Sequence, residues 1–439
     1  MALHTLAVFD GNVRVGTLGY ESLEDRFSFV YDPEWEAADT SYPISPHFPI
    51  RGTPPATATV RRFLENLLPE GRALDIVATT HQVSRNNIYG LIRELGRETS
   101  GALAFFPGDV LPGDQPDTRR EISRDELRAR IEQRSKIPFA AWDGRVRLSI
   151  AGHQDKLAVY LDPDHRMYLV EGTLASTHIL KPEPPEGRLP MLVANEHYCM
   201  TLAGRLGLAV PSVSILRLPD PVLVIERFDR VREPERVRRL HIIDACQALD
   251  LPVSYKYERN FGSGRDVRHI RDGVSFERLF SITRHAMRKA MTRLSLLRWA
   301  LFQYLIGNSD AHGKNVSFFC RRQGLAIAPF YDLVSVVQYG NLDHDMAMAY
   351  GDEFRLHEVG PFAWADFAAR TGTPRPLLER EMTRMGTAAL EAAPQQAREG
   401  GYVPDEQDLI ERISTFVQGQ ARKLLEHAAP MRRVDVSLL

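Results

Sequence analysis

Gly307-Asn-Ser-Asp-Ala-His-Gly-Lys-Asn-Val-Ser-Phe318 follows directly on residues 294–306, which are apolar on nearly every side. A run that is hydrophobic all round belongs in a core, so the pattern predicts a buried helix opening into a polar loop. Inside that loop Asp310 and, five residues on, Asn315 reproduce the Asp-to-Asn spacing of a phosphotransferase catalytic loop. The spacing has a mechanical reason. A carboxylate at 310 accepts the hydrogen bond of an attacking hydroxyl, and an amide at the far end of a tight loop offers its oxygen to a nucleotide-bound Mg²⁺. Residues 316–320 and 325–329 then read as a strand pair, after which Phe330-Tyr-Asp332 opens a further loop. Asp332 stands where a second Mg²⁺ ligand is needed, so two carboxylates and an amide frame one hairpin.

Working upstream, such chemistry requires a cation for the phosphates. Lys181 ends the strand pattern 178–181, just before Pro182, and fits that part. Residues 192–206 carry an amphipathic helical pattern ending at Gly207, and Glu196 falls on its otherwise apolar stripe. An inward carboxylate is costly unless paired, which makes Lys181–Glu196 the expected ion pair. Ser149-Ile-Ala-Gly-His-Gln-Asp-Lys156, ahead of a strand at 157–161, is the candidate phosphate loop. Its backbone N–H groups and Lys156 can cradle phosphate, although it holds only Gly152 and is no glycine-rich fingerprint. Glu226-Arg-Phe-Asp-Arg230 follows the strand 222–225. A hinge there would offer backbone groups to adenine, and an ordinary strand-end turn fits the same spacing.

The rest of the chain supplies the frame. Strand patterns at 6–9, 27–31 and 101–106, with a helix at 60–68, make a front α/β unit. A connector dense in proline and glycine follows at 107–116, then a helix at 124–134 capped by Ser123. Residues 157–161, 167–170, 178–181 and 222–225 read as strands, and the chain beyond Leu240 is mostly helical. With 439 residues, 44% hydrophobic and 26% charged, a folded multidomain chain is expected, and no apolar run reaches the roughly 18 residues of a membrane span. The start lacks a signal-peptide pattern, so the expectation is cytoplasmic. A net charge of −2 offers no global field for nucleic acid or membrane. Cys199, Cys246 and Cys320 lie far apart and are read as buried small hydrophobes, not a disulfide framework or zinc site.

With these segments assembled, the chain resembles the HipA family of serine/threonine kinases, the toxins of bacterial toxin–antitoxin modules. The resemblance rests on an ordered set: residues 63–71 and 95–103 in front, then SIAGHQDK (149–156), HILKP (178–182), NEHYCM (195–200), ERFDR (226–230), DACQAL (244–249), KYE (256–258), GNSDAHGKN (307–315) and FYDL (330–333). It implies a protein-kinase-like, two-lobed α+β fold with a fused N-terminal α/β subdomain. The expected divisions are an N-terminal subdomain at 1–106, a β-rich nucleotide-binding lobe with connector at 107–235, and a helical catalytic lobe at 236–439. It further implies ATP and Mg²⁺ as cofactors, Asp310 as base, Asn315 and Asp332 as metal ligands, and Glu196 as the structural ion-pair partner of Lys181. The nucleotide set is Ser149, Ala151, Gly152, His153, Gln154, Asp155, Lys156, Lys181, Glu226, Phe228, His312, Lys314 and Asn315. His153, standing where a small residue is expected, is read as an exposed loop residue.

The resemblance also implies what spacing does not show. Ser149 would be an autophosphorylation site whose added charge repels the ATP phosphates and ejects the loop. The partners would be a helix-turn-helix antitoxin, operator DNA reached through it, and an aminoacyl-tRNA synthetase as substrate, with no membrane. Two other readings compete: a corepressor or scaffold working with a helix-turn-helix antitoxin, and a lipid or small-molecule kinase. The arginine-rich stretch 227–239, diluted by Asp229, Glu233 and Glu235, reads as a solvated face, with contact to operator DNA or tRNA as the sharper alternative.

Overall fold

The computed structural model describes every residue except 1–2, 109, 115, 144, 147–153, 186–188, 219, 235, 436 and 438–439. Two compact units emerge, each built from several chain segments. The first comprises Met1–Arg188, Ser214–Ile243 and Phe318–Leu325, the second Leu189–Val213, Asp244–Ser317 and Ala326–Leu439.

The first unit carries two larger sheets beside short two-stranded pairings. Strands Leu3–Asp10, Val13–Glu21, Arg26–Tyr31 and Leu103–Pro107 form an antiparallel sheet in which Leu3–Asp10 lies between Val13–Glu21 and Leu103–Pro107. Helices Thr57–Glu65, Gly71–Thr80 and Ile88–Leu95 complete its front part. Val13–Glu21 is not among the expected strands; its Gly16 and Gly19 have the composition of turn punctuation. They serve close approach instead: a Cβ on Gly16 would lie 2.4 Å from the Val30 carbonyl oxygen, and one on Gly19 2.5 Å from Ser28 Oγ. The predicted helix at 60–68 begins three residues earlier, at Thr57, whose hydroxyl donates to the Phe27 carbonyl at 3.0 Å.

The second sheet has six strands, in the order Val213–Arg217, Pro221–Glu226, His178–Pro182, Leu157–Leu161, Met167–Glu171 and Thr118–Ile122. Inward residues of its strands, Leu157, Val159, Leu169, Leu180 and Val222, pack with Leu127, Ile131, Phe139 and Trp142 into one core. Helix Arg124–Glu132 enters that core through its Leu127–Ile131 stripe. It starts at Ser123, whose hydroxyl accepts from the Glu126 N–H while the Glu126 carboxylate accepts from the Ser123 N–H, the reciprocal cap its sequence predicts.

The second unit is helical, with long helices at Leu192–Arg205, Lys289–Ile306, Pro361–Thr371, Arg375–Glu399 and Pro404–Arg432. Helix Lys289–Ile306 is its axis: residues 296–297 and 299–306 have essentially no exposure. Its Tyr304 meets Tyr350 and Trp364 at steep angles, Phe367 packs on both of those rings, and the Tyr350 hydroxyl donates to the Ala300 carbonyl at 2.7 Å. All three cysteines are free and buried, as the sequence implies. No described helix is long and apolar enough to cross a membrane.

Candidate active site

Helix Lys289–Ile306 stops at Gly307, which takes the left-handed conformation at φ 64° and returns its N–H to the Gln303 carbonyl. Glycine is needed there on two counts, since a Cβ would also meet Val337 at 2.6 Å and Phe416 at 2.8 Å. The helix end therefore aims the next residues sharply away. Asn308 then fixes the turn: its Nδ2 donates to Gln303 Oε1 at 2.9 Å and its Oδ1 accepts the Asp310 N–H at 3.2 Å. The Asp310 side chain is left exposed, with the Tyr257 hydroxyl donating to its Oδ1. The Tyr257 ring meets His312 edge-on, centroids 5.0 Å apart.

A single helical turn, Gly313–Asn315, closes the loop. Gly313 packs so tightly that a Cβ would lie 2.6 Å from Val274 and 3.2 Å from Cys246 Sγ, and its N–H donates to the Lys256 carbonyl at 2.9 Å. Asn315 Oδ1 accepts the His312 N–H at 2.9 Å, and its Nδ2 reaches Asp332 Oδ2 at 2.8 Å. Asp332 itself sits at φ 59°, an unusual backbone conformation for a side-chain-bearing residue outside a turn glycine. Following it, Asn195 bonds the Ser335 N–H and carbonyl at 2.8 and 3.1 Å, so helix Leu192–Arg205 anchors the segment that leaves Asp332. Lys314 turns the other way: its ammonium lies 2.6 Å from Asp244 Oδ2, both side chains being nearly buried.

Three of the predicted residues thus converge: an exposed carboxylate at 310, and an amide and a carboxylate at 315 and 332 in direct contact. Mg²⁺ on a nucleotide takes one or two protein oxygens and completes its shell from phosphates and water. The Asn315 amide oxygen and the Asp332 carboxylate are donors of that type. Glu196 is fully buried on helix Leu192–Arg205 of this same unit.

Of the other predicted residues, His312 and Lys314 share the loop in the second unit, and the rest of those described belong to the first. Lys181 lies on strand His178–Pro182 opposite Leu223, and Lys156 just precedes strand Leu157–Leu161; both are buried. His178 is in register with Glu226 at the far end of Pro221–Glu226. Burial holds the Asp155 carboxyl above its usual range, with Arg72 and Arg134 pulling it back. Gln154 is half-buried. Ser149, Ala151, Gly152 and His153 lie outside the described residues.

Residues 6–106 match the HipA N-terminal domain, and residues 148–396 match the HipA-like C-terminal domain. The serine/threonine-protein kinase toxin HipA of Shewanella oneidensis is 42% identical over 385 residues, 87% of this chain and 86% of that protein. The chain belongs to the HipA family. The Sinorhizobium fredii protein Y4mE is 33% identical over 90% of this chain and 92% of its own. Among solved structures, the Shewanella HipA in complex with HipB and operator DNA superposes with a TM-score of 0.89 at 38% identity, covering 98% of this chain and 100% of that one. The fold is accordingly the kinase-like α+β fold of HipA, and the chain is a HipA-type serine/threonine protein kinase.

The arginine-rich stretch of this HipA chain is not one solvated face. Arg236 and Arg238 are exposed and pair with Glu233 at 3.0 and 2.6 Å, but Arg227 and Arg230 are buried around Asp229. Arg227 Nε and Nη2 reach Asp229 Oδ1 and Oδ2 at 2.9 and 2.7 Å, and Arg230 Nη1 shares Oδ2 at 2.7 Å. Burial alone would raise the Asp229 carboxyl; the two guanidiniums overturn that and hold it far below the carboxylate range. Burial, with Arg227 beside it, pushes Arg230 down to about 9. A fork-on-fork ion pair withdrawn from water is a structural device, which composition alone does not distinguish from a surface run. Tyr257, Asn195 and Asn308 are brought to the site by the fold. The only sequence signal for them was membership in the KYE, NEHYCM and GNSDAHGKN motifs.

Proposed function

We propose that this HipA-family kinase transfers the γ-phosphoryl group of ATP to a serine or threonine of a protein substrate, with Asp310 as the base. The acceptor oxygen attacks the γ-phosphorus, its proton passes to Asp310, and the bond to the β–γ bridging oxygen breaks to leave ADP. The observation that carries this reading is the exposed Asp310 carboxylate on a loop whose far end presents Asn315 in contact with Asp332 at 2.8 Å. Asn315 and Asp332 would hold Mg²⁺, which neutralises phosphate charge when bound. Lys181 and Lys156 serve the phosphates, and the backbone of Glu226 and Phe228 meets adenine. Residues 1–106, 107–235 and 236–439 act as N-terminal subdomain, nucleotide lobe and catalytic lobe.

In the cell, on this reading, the chain is the toxin of a toxin–antitoxin pair in the cytoplasm. A helix-turn-helix antitoxin of the HipB type holds it, operator DNA is reached through that partner, and an aminoacyl-tRNA synthetase is the target. Support comes from the relative solved with HipB and operator DNA and from a net charge of −2, which favours reaching DNA through a partner over direct grip. Phosphate on Ser149 would switch the enzyme off.

The test is a phosphosite map by mass spectrometry after incubation with Mg-ATP, beside Asp310→Asn. Phosphate at Ser149 in the wild type and none in the variant is expected. Phosphate in both would remove Asp310 as the base, and none in either would remove self-inactivation.

A further inference from the structure

The segment Glu226–Arg230 leaves strand Pro221–Glu226 through a turn at Phe228–Asp229 and buries three of its five side chains. Glu226 is exposed and Phe228 half-buried, its ring edge-on to Phe319 at 6.1 Å, while Arg227 and Asp229 point inward and are buried. The inward pair does not bond to its own lobe alone. Asp229 Oδ2 accepts the N–H of Gly101 at 2.9 Å, and Arg230 Nη1 donates to the Gly101 carbonyl at 3.1 Å. Arg227 Nη1 donates to Ser176 Oγ at 3.0 Å, and Ser176 Oγ in turn donates to Glu98 Oε1 at 2.7 Å. The Arg227 N–H meets the Thr177 carbonyl at 2.9 Å. Gly101 can come this close only as glycine: its φ is 83°, and a Cβ would lie 2.9 Å from the Ile242 nitrogen. Glu98, Gly101 and their neighbours belong to the domain matched at residues 6–106.

We infer that Asp229, Arg227 and Ser176 are positioning residues for the adenine hinge, and that the Glu98–Gly101 turn of the N-terminal domain is the anchor they pull against. This deepens the proposed function and rests on its reading that the backbone of 226–228 meets the base. A turn has no ladder of strand hydrogen bonds to orient it, so clamping 227 and 229 through five hydrogen bonds fixes the direction in which the N–H and C=O groups around 226 and 228 are offered. A base edge is read by two or three such groups at fixed spacing, so small rotations of the hinge cost recognition of the base and leave phosphate binding alone. The N-terminal domain is on this view a working part of the nucleotide site, although none of its side chains need touch ATP.

The experiment measures binding of ATP and of GTP to the full chain by calorimetry, in an Asp310→Asn background that blocks turnover. Both nucleotides carry the same triphosphate, so their affinity ratio isolates the base. Ser176→Ala, which removes two of the hydrogen bonds, is expected to weaken ATP about threefold, and Asp229→Asn about thirtyfold, each with GTP affinity unchanged within about twofold. If Asp229→Asn does not fold, the Ser176→Ala result stands alone. ATP and GTP weakened in equal proportion, or ATP affinity unchanged in folded variants, would overturn the inference. Two controls separate its failure from that of the reading beneath it. A parent chain that binds no ATP removes the nucleotide site itself. A parent that binds ATP and GTP with equal affinity removes the hinge from it.

Discussion

The loop at 307–315 and the cluster around Asp229 are both polar networks, and they solve opposite problems. In the loop, the turn around Asp310 is set by side chains bonding to nearby backbone: Asn308 to the Asp310 N–H, Asn315 to the His312 N–H. The result is a stiff turn whose reactive carboxylate stays in water. In the cluster, formal charges are taken out of water and satisfied by one another and by a turn 128 residues away in sequence. A network of the first kind can lose its central side chain and keep its shape. One of the second kind cannot, because the partner charges remain buried and unpaired.

That contrast is tested first at its extremes. Asp310→Asn is expected to lower phosphoryl transfer about a thousandfold, within the range of a lost general base, with the melting temperature unchanged. Asp229→Ala should do the reverse in kind, lowering unfolding free energy by about 3–5 kcal/mol in urea titrations followed by circular dichroism. If Asp310→Asn melted early, or Asp229→Ala unfolded like the parent, the two networks would not differ as argued.

Acid gives a third, smaller test. His241 is buried beside the same Glu98–Gly101 turn, stacks on Tyr42 and bonds the Ile44 carbonyl through Nε2 at 2.8 Å. Burial pushes it down to about 4 from an ordinary value of 6.5. Between those values the unfolded chain binds the proton and the folded one does not. The stability involved is therefore complete above pH 6.5 and is lost as pH falls toward 4, in all about 3 kcal/mol. Unfolding measured from pH 7 to 4.5 should show this slope in the parent and a flatter one in His241→Gln. Equal slopes would assign the acid sensitivity to other groups, such as His178, which burial also lowers.

The same difference explains what could be read from the chain. Asp310, Asn315 and Asp332 lie within 23 residues on a helix-loop-hairpin path whose periodicity is plain, so local rules place them. The small-lobe strands and the Ser123 cap are equally local. Arg227 and Asp229 were visible as residues and misread as to environment, because their partners Ser176, Glu98 and Gly101 are brought in by the fold. Strand Val13–Glu21 was missed for a related reason: its glycines answer to Val30 and Ser28 on a neighbouring strand, and alone they look like punctuation. Tyr257 meets Asp310 across 53 residues of sequence, with no periodicity to announce it.

Tyr257 therefore supplies the smallest and sharpest test, since it brings a long-range contact to Asp310 itself. Its hydroxyl donates to Asp310 Oδ1 while its ring is held by His312 edge-on and by Lys256 Nζ 5.4 Å from the ring centre. Removing the hydroxyl leaves that packing in place and takes one hydrogen bond from the Asp310 carboxylate. A hydrogen bond to a charged group at an exposed site is worth about 1 kcal/mol, so Tyr257→Phe should lower kcat about fivefold with KM for ATP unchanged. If the phenol acts only by orienting Asp310, adding Tyr257→Phe to Asp310→Asn should cost nothing further. A full fivefold loss in that background would mean that Tyr257 contacts the reacting groups on its own account, and that the loop is less self-sufficient than its local hydrogen bonds imply.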